Sequence, residues 1–247
     1  MDRIDTKVKF NRDEIHVWLA SLDISSELLG ELGSTLSADE VARAKRFYFQ
    51  HDRRRFVSRR GILRAILAKY LETKPSALRF VSNEFGKPCV EDSQEACNLS
   101  FNLSHSGELV LIAVAIDRDV GVDVEFIDNS VPSEEIASRF FSVNEIAALE
   151  ALPQSLRPAR FFSCWARKEA YIKARGSGLS IPLDSFDVWS IKGETVTSVS
   201  IEKSSDISNW KIENLKIDSR YAAAVAAAGR DWKVAQWNWR PGIGRSN

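Results

Sequence analysis

From Gly121 to Asp128 the sequence reads GVDVEFID, shortly after the apolar run LVLIAVAI. On a strand, residues two apart share a face, so Asp123 and Glu125 point one way while Val122, Val124 and Phe126 point the other. Further on, WARKEAYIKARGSG reads as helix, with Trp165, Glu169 and Lys173 at steps of four and therefore along one side. Taken alone, Glu169 and Lys173 form an ordinary surface pair contributing about 0.3–0.5 kcal/mol. Brought together, Asp123, Glu125 and Glu169 would offer oxygen donors to Mg²⁺, a hard cation that keeps positions for water and phosphate. The chemistry to expect is then phosphate chemistry, and cations able to hold phosphate are what to look for next.

Lys87 in FGKP is one candidate, and the Ser104–His105 pair in FNLSHSG is another polar cluster. Ser104 beside His105 suggests a nucleophile and its base. Neighbours on a strand point to opposite sides, however, so a serine hydrolase is disfavoured and a polar pair beside a phosphate fits better. The stretch DRRRFVSRRGILRAILAKYLE is studded with arginine. Phe56, Ile62, Leu63, Ile66, Leu67 and Tyr70 recur in it at helical spacing, so it forms an amphipathic helix whose basic face is either solvated or an anion site.

These residues must be held by a fold of strands and helices in alternation. SADEVARAKRFYF carries a capping-box pattern that starts a helix near Ser37. LSFNLSHSGELVLIAVAI forms a hairpin. A second long helix runs from about Pro158 to Arg175 and stops at Gly176 as a left-handed C-cap, which makes GSG a poor phosphate loop. YAAAVAAAG, placed before WKVAQW, is expected as a buried strand despite its helix propensity. RFYF at 46–49 is echoed by RFFS at 139–142, each ahead of a helical stretch, and LRFVS is echoed by SFDVWS. The echo suggests a duplicated α/β unit joined near residues 116–120, with halves 1–117 and 118–247.

Composition narrows the partners. Lys+Arg and Asp+Glu are both 34 in 247 residues, so no bulk field draws nucleic acid and any charged ligand needs a local cluster. Cys89, Cys97 and Cys164 match no zinc or CxxC spacing and suit a reducing compartment as packing residues. The N-terminus lacks an apolar signal region, and no apolar run reaches the roughly 20 residues of a membrane span. A soluble cytoplasmic protein without membrane partners is expected.

In their order, FGKP, FNLSHSG, GVDVEFID, RFFS and WARKEAYIKARGSGLSIPLDSF resemble the 4′-phosphopantetheinyl transferase superfamily, in its larger Sfp-type form. The resemblance runs from about Arg43 to Phe186. It implies an α/β (α+β) fold of two similar halves, an intramolecular pseudodimer with the active site in the cleft between them. The implied activity moves 4′-phosphopantetheine from coenzyme A to a serine of an apo acyl, peptidyl or aryl carrier protein of fatty-acid, polyketide or non-ribosomal peptide synthesis, with Mg²⁺, releasing 3′,5′-adenosine bisphosphate. It assigns Asp123, Glu125 and Glu169 to the metal and Lys173 to the pyrophosphate. Lys87, Ser104 and His105 go to coenzyme A, and Arg43 and Arg55 to its adenosine end. Phe56 stands where the family often has a small hydroxyl residue. Trp165 is expected to pack and Lys168 to be an accessory charge. The proton acceptor is Glu169 or a water, and a monomer is expected. The carrier is expected to dock along Ile127 to Ile136, as a mobile edge, while Phe140 and Phe141 go to the core. Two other classes remain: a different Mg²⁺-dependent phosphoryl or nucleotidyl transferase, and a non-catalytic coenzyme A- or carrier-binding module.

Overall fold

The structure, a computed structural model, describes residues 10–91, 99–176, 181–189, 195–196, 200–201 and 210–241. The chain opens with β1 (Glu14–Ser21), helices α1 (Ser26–Gly33), α2 (Ala38–Lys45) and α3 (Gln50–Tyr70), and the short strands β2 (Phe80–Ser82) and β3 (Pro88–Val90). The hairpin of β4 (Leu99–Ser106) and β5 (Leu109–Ile116) follows. The order then repeats: β6 (Val120–Phe126), helices α4 (Ser133–Phe140), α5 (Val143–Glu150) and α6 (Arg157–Arg175), the short β7 (Phe186–Asp187), β8 (Thr195–Val196) and β9 (Ser200–Ile201), then β10 (Trp210–Asn214) and β11 (Tyr221–Ala228). The last strand, β12 (Lys233–Asn238), returns to pair in parallel with β1.

The repeat extends to pairing. One sheet has the order β12-β1-β5-β4 and the other β6-β11-β10-β8, so β1-β5-β4 and β6-β11-β10 are the same antiparallel arrangement built twice. Strand alternation sorts the core into three layers. Trp18, Val110, Ile112 and Val114 face α3. Ile15, Val17, Leu111 and Ala113 face Val120, Val122, Val124 and Val225 of the other sheet. Ala222, Ala224 and Ala226 face α6. The alanine run is indeed the buried strand β11, because its small side chains let a sheet on one side and a helix on the other approach it closely.

Each half also buries one carboxylate–cation pair in the same place. Glu40 in the first turn of α2 caps Ser37 N–H at 3.1 Å and binds Arg64 of α3 at 2.7 Å; Arg64 in turn donates to Pro75 O and Leu78 O. Glu145 in the first turn of α5 caps Ser142 N–H at 3.1 Å and binds Lys168 of α6 at 2.6 Å; Lys168 donates to Leu183 O and Phe186 O. Lys168 is fully buried, so the accessory charge expected there is a structural pin, the counterpart of Arg64. The pins align α2 with α5 and α3 with α6. RFYF and RFFS therefore precede non-equivalent helices, and RFFS leads into the eight-residue α5, with α6 following.

Gly176 adopts φ +65 and caps α6 as expected; Ser177 and Gly178 lie outside the described residues, as does Cys97. Of the expected docking edge, Ile127, Val131 and Ile136 pack against the core of the second half. Phe141 is buried, but Phe140 stays 42% exposed against Trp165. The apolar side chains of Ile127 to Ile136 turn inward because α4 is a formed helix lying on α6.

The tightest contact between strand and helix is at Gly121. A Cβ there would stand 2.1 Å from Ala170 O and 2.3 Å from Ala174 N of α6. Gly121→Ala is expected to push β6 from α6 and destabilise the fold by about 2 kcal/mol or more. Gly30→Ala, where a Cβ meets nothing within 4 Å, should be neutral or stabilise by up to about 1 kcal/mol. Urea unfolding of the two variants checks the contrast, and equal stabilities would refute the close-approach argument.

Candidate functional site

The two sheets meet edge to edge where β4 ends one and β6 ends the other. Their backbones are joined through side chains. Asn102, Ser104 and Ser106 alternate along one face of β4. Asn102 Oδ1 accepts Val122 N–H at 3.0 Å, Ser104 Oγ donates to Asp123 Oδ1 at 2.8 Å, and Ser106 Oγ accepts Phe126 N–H at 2.9 Å and lies 3.3 Å from Glu125 Oε2. The contact at Gly121 lays the polar face of β6 against α6. Glu169 and Lys173, one turn apart on that helix, come to the same place. Lys173 Nζ donates to Asp123 Oδ1 at 2.6 Å and to Ser104 Oγ at 3.0 Å.

Asp123, Glu125, Glu169, Lys173, Ser104 and His105 line a single cavity of about 420 Å³, walled on its far side by Arg43, Phe56, Arg59 and Arg60. A second cavity of about 280 Å³ adjoins it. The two share Pro88, Asn102, Leu103, Glu169 and Lys173, and the second is closed by Phe85, Gly86, Lys87 and Gly176. The β2–β3 turn reaches this position by docking on the end of α6: Asn83 donates to Gly176 O at 3.0 Å and Lys87 Nζ to Ala174 O at 2.9 Å. Burial lowers the Lys87 pKa, an effect that Asp119 opposes.

The electrostatics are those of a crowded acid cluster. Burial, then the charge of Asp123, pushes Glu125 up to about 7, with a smaller push from Glu169. Burial and Asp123 also raise Glu169, against the pull of Lys173. Asp123 is buried, and among the described residues its Oδ2 has no hydrogen-bond partner. Opposite them, burial together with Arg59, Lys173 and Arg55 brings His105 down to about 4. The three acids thus share the ammonium of Lys173 while the histidine faces several cations.

Of the residues expected from sequence, the structure gathers Asp123, Glu125, Glu169, Lys173, Ser104, His105 and Arg43 around the first cavity and Lys87 around the second. Arg55 does not line either; it reaches the site through the charge felt by His105. The arginine that touches the histidine is Arg59, whose Nη1 lies 2.5 Å from His105 Nε2. Sequence reasoning missed it, although it stands one turn beyond Arg55 on the same helix. Phe56 also has a place: Arg43 and Arg59 lie 5.5 and 5.2 Å from its ring centroid, so the aromatic ring supports the two cations. Ser106 and Asn102 were missed too, and the signal was the polar alternation of FNLSHS. Trp165 packs among Phe140, Phe141 and Phe161, as expected.

The donor set suits a hard cation, since it is all carboxylate and includes the unpartnered Asp123 Oδ2. Among the described residues, though, no three acid, histidine or cysteine side chains are gathered closely enough to hold a metal as they stand. The ammonium of Lys173 rests against Asp123 in their place.

Comparison with known proteins gives one answer. Residues 119–226 match the family described as the 4′-phosphopantetheinyl transferase superfamily, and residues 24–117 match the N-terminal part of a 4′-phosphopantetheinyl transferase. The chain is 39% identical to the 4′-phosphopantetheinyl transferase HetI of Nostoc sp., over 92% of this chain and 93% of that one. It is 35% identical to the 4′-phosphopantetheinyl transferase Sfp of Bacillus subtilis, over 81% and 85% respectively. Among solved structures, the holo-[acyl-carrier-protein] synthase of Thermotoga maritima aligns at 22% identity with a TM-score of 0.37, covering 45% of this chain and 63% of that one.

The charges facing His105 make its titration a test of the site's geometry. In the free protein its ring should titrate near pH 4, and Arg59→Ala should move that value upward, because one of the cations opposing protonation is gone. A ¹H–¹³C NMR titration follows it; a midpoint near 6.5 in the unaltered protein would show that the ring does not face these cations.

Proposed function

The chain belongs to the 4′-phosphopantetheinyl transferase superfamily, and we infer that it transfers the 4′-phosphopantetheine group of coenzyme A to a serine of apo carrier proteins, releasing 3′,5′-adenosine bisphosphate. The observation that carries this reading is the opposition of charges across the cleft. Three crowded carboxylates and Lys173 line one wall of a cavity whose other wall is cationic. A doubly esterified pyrophosphate fits between such walls, with its bridging region toward Lys173 and the separate 3′-phosphate of coenzyme A toward the arginines.

The residue roles follow from that placement. Asp123, Glu125 and Glu169 would hold Mg²⁺, which when bound supplies charge neutralisation on the pyrophosphate. Lys173, already within 3.0 Å of Ser104 and closer to Asp123, would move its ammonium onto the pyrophosphate and stabilise the charge that grows on the leaving bisphosphate. Lys87, on the turn that closes the second cavity, would bind coenzyme A there. His105, Arg43 and Arg59 would hold the 3′-phosphate and the adenosine end, with Arg55 adding charge from behind. The low proton affinity of His105 in the free protein fits this role, because an incoming phosphate dianion offsets the cations around it. Ser104 would contribute by keeping Asp123 and Lys173 in place.

In the transfer itself, the carrier serine oxygen bonds to the β-phosphorus of coenzyme A as the bond to the adenosine bisphosphate breaks, and the serine proton must go to a base. Glu169, held above the usual carboxylate range by burial and Asp123, would take it, directly or through a water. The carrier would approach from the exposed Phe140 and Val143 side of the cleft. The protein is read as a cytoplasmic monomer of two halves, 1–117 and 118–247, the second of which lends β12 to the sheet of the first. Among the described residues no helix is long and apolar enough to cross a membrane.

Mass spectrometry of an apo carrier protein incubated with coenzyme A and Mg²⁺ tests the reaction directly. Asp123→Ala and Glu169→Ala should each abolish the phosphopantetheine mass gain while the protein stays folded by circular dichroism. Near wild-type turnover in either variant at saturating Mg²⁺ would refute the ligand assignment. His105→Ala should raise KM for coenzyme A, and much less for dephospho-coenzyme A, which lacks the 3′-phosphate. Equal losses with both substrates would remove the 3′-phosphate from the role of His105.

A further inference from the structure

We propose that Ser106 is a positioning residue for Glu125, through which the first half of the chain aims a carboxylate that belongs to the second. The proposal rests on the reading of Asp123, Glu125 and Glu169 as cation ligands.

Ser106 is the last residue of β4, paired with Leu109 across the turn to β5. That turn is fixed in space. Gly107 has φ +55, and a Cβ on it would stand 2.8 Å from the hydroxyl oxygen of Tyr221 on β11, so the turn sits directly on the other half. The Tyr221 ring in turn meets Phe126 edge-on at 5.3 Å. On this anchored turn, Ser106 Oγ accepts Phe126 N–H at 2.9 Å. A hydroxyl that accepts from one side still has its proton to donate, and the acceptor present is Glu125 Oε2 at 3.3 Å.

The two acids of β6 are not held equally. Asp123 is gripped twice, by Ser104 and by Lys173. Among the described residues, Glu125 has Ser106 as its single hydrogen-bond partner. A half-buried glutamate has three rotatable bonds, and without that bond nothing polar selects among its rotamers. Groups that orient a metal-binding carboxylate govern metal affinity without touching the metal. Ser106 has that relation to Glu125, from a strand of the opposite sheet.

A purely structural role for Ser106 would amount to satisfying Phe126 N–H. The experiment separates the two roles. Wild type, Ser106→Ala and Ser106→Thr are titrated with Mn²⁺ in the presence of coenzyme A by calorimetry, and transfer to an apo carrier protein is followed against Mg²⁺ concentration. Ser106→Ala is expected to weaken Mn²⁺ binding and raise the half-saturating Mg²⁺ on the order of 10-fold, with kcat at saturating Mg²⁺ near that of wild type. Ser106→Thr, which keeps both hydrogen bonds, should restore both values. Unchanged Mn²⁺ binding and Mg²⁺ dependence in Ser106→Ala would overturn the role of Ser106 and leave the ligand assignment standing. A loss of kcat and melting temperature that Mg²⁺ does not recover would overturn it in favour of the structural role. A wild type indifferent to divalent metal would overturn both readings.

Discussion

Three carboxylates and one ammonium share a partly dry cleft, and that crowding is the constraint to which the rest of the structure answers. Like charges at short range in a medium less polar than water raise one another's proton affinity, and Glu125 and Glu169 both carry that mark. An isolated sheet edge could not hold such a set in register. Here β6 is fixed from three sides. β11 pairs with it, α6 touches it at Gly121, and the side-chain ladder of β4 hydrogen-bonds its free edge. The ladder also answers a general hazard, since an exposed strand edge invites pairing with other chains. The same contacts that close the edge aim the acids.

The duplicated framework explains why there is one such site. The buried pins Glu40–Arg64 and Glu145–Lys168 put the two long helices in register. On that alignment Ala65 takes the place of Glu169, while Lys69 takes the place of Lys173. The strand facing α3 carries Trp18 and Ala20 where β6 carries its acids, and Trp18 is committed to the Tyr70 hydroxyl at 2.8 Å. The first half therefore has the scaffold without the acids. What it contributes instead is the opposite wall, the cations of α3 and the polar face of β4. A buried pair is a costly support if broken, because the surviving partner is left charged and dry. This constrains Lys168, while its neighbour Glu169 faces the cavity, and two adjacent residues of one helix thus serve different surroundings.

Much of this was legible in the sequence because it follows from period. The two-residue alternation of GVDVEF and the four-residue steps of Trp165, Glu169 and Lys173 put the acids and the lysine on defined faces, and the structure sets those faces together. The long helices, the hairpin, the capping box at Ser37 and the Gly176 stop are local patterns and were legible for the same reason. What depended on long-range contact was not. A lysine next to a catalytic-looking glutamate gives no local sign that it points into the core to meet Glu145. Arg55 and Arg59 differ by one helical turn, and which of them faces the cavity depends on how α3 sits on its sheet. The echo of RFYF in RFFS pointed correctly to duplication but to the wrong pair of helices, because equivalence is fixed by the buried pins, which sequence similarity does not reveal. Ser106 gives no local sign of its partners, which lie on a strand of the other sheet.

The return of β12 to the first sheet ties the two repeats together through backbone pairing, in addition to the core layer that their sheets share. β1 has β5 on one side and β12 on the other, from Glu14 against Lys233 to Leu19 against Asn238. A polypeptide released after the β5–β6 connection would carry β1 with its outer edge bare, so during synthesis the first sheet is complete only after β12 has been made. That makes the C-terminal strand a latch. Without it the cleft residues are all still present, but β1 is left with an unpaired outer edge of the kind that recruits an extended peptide.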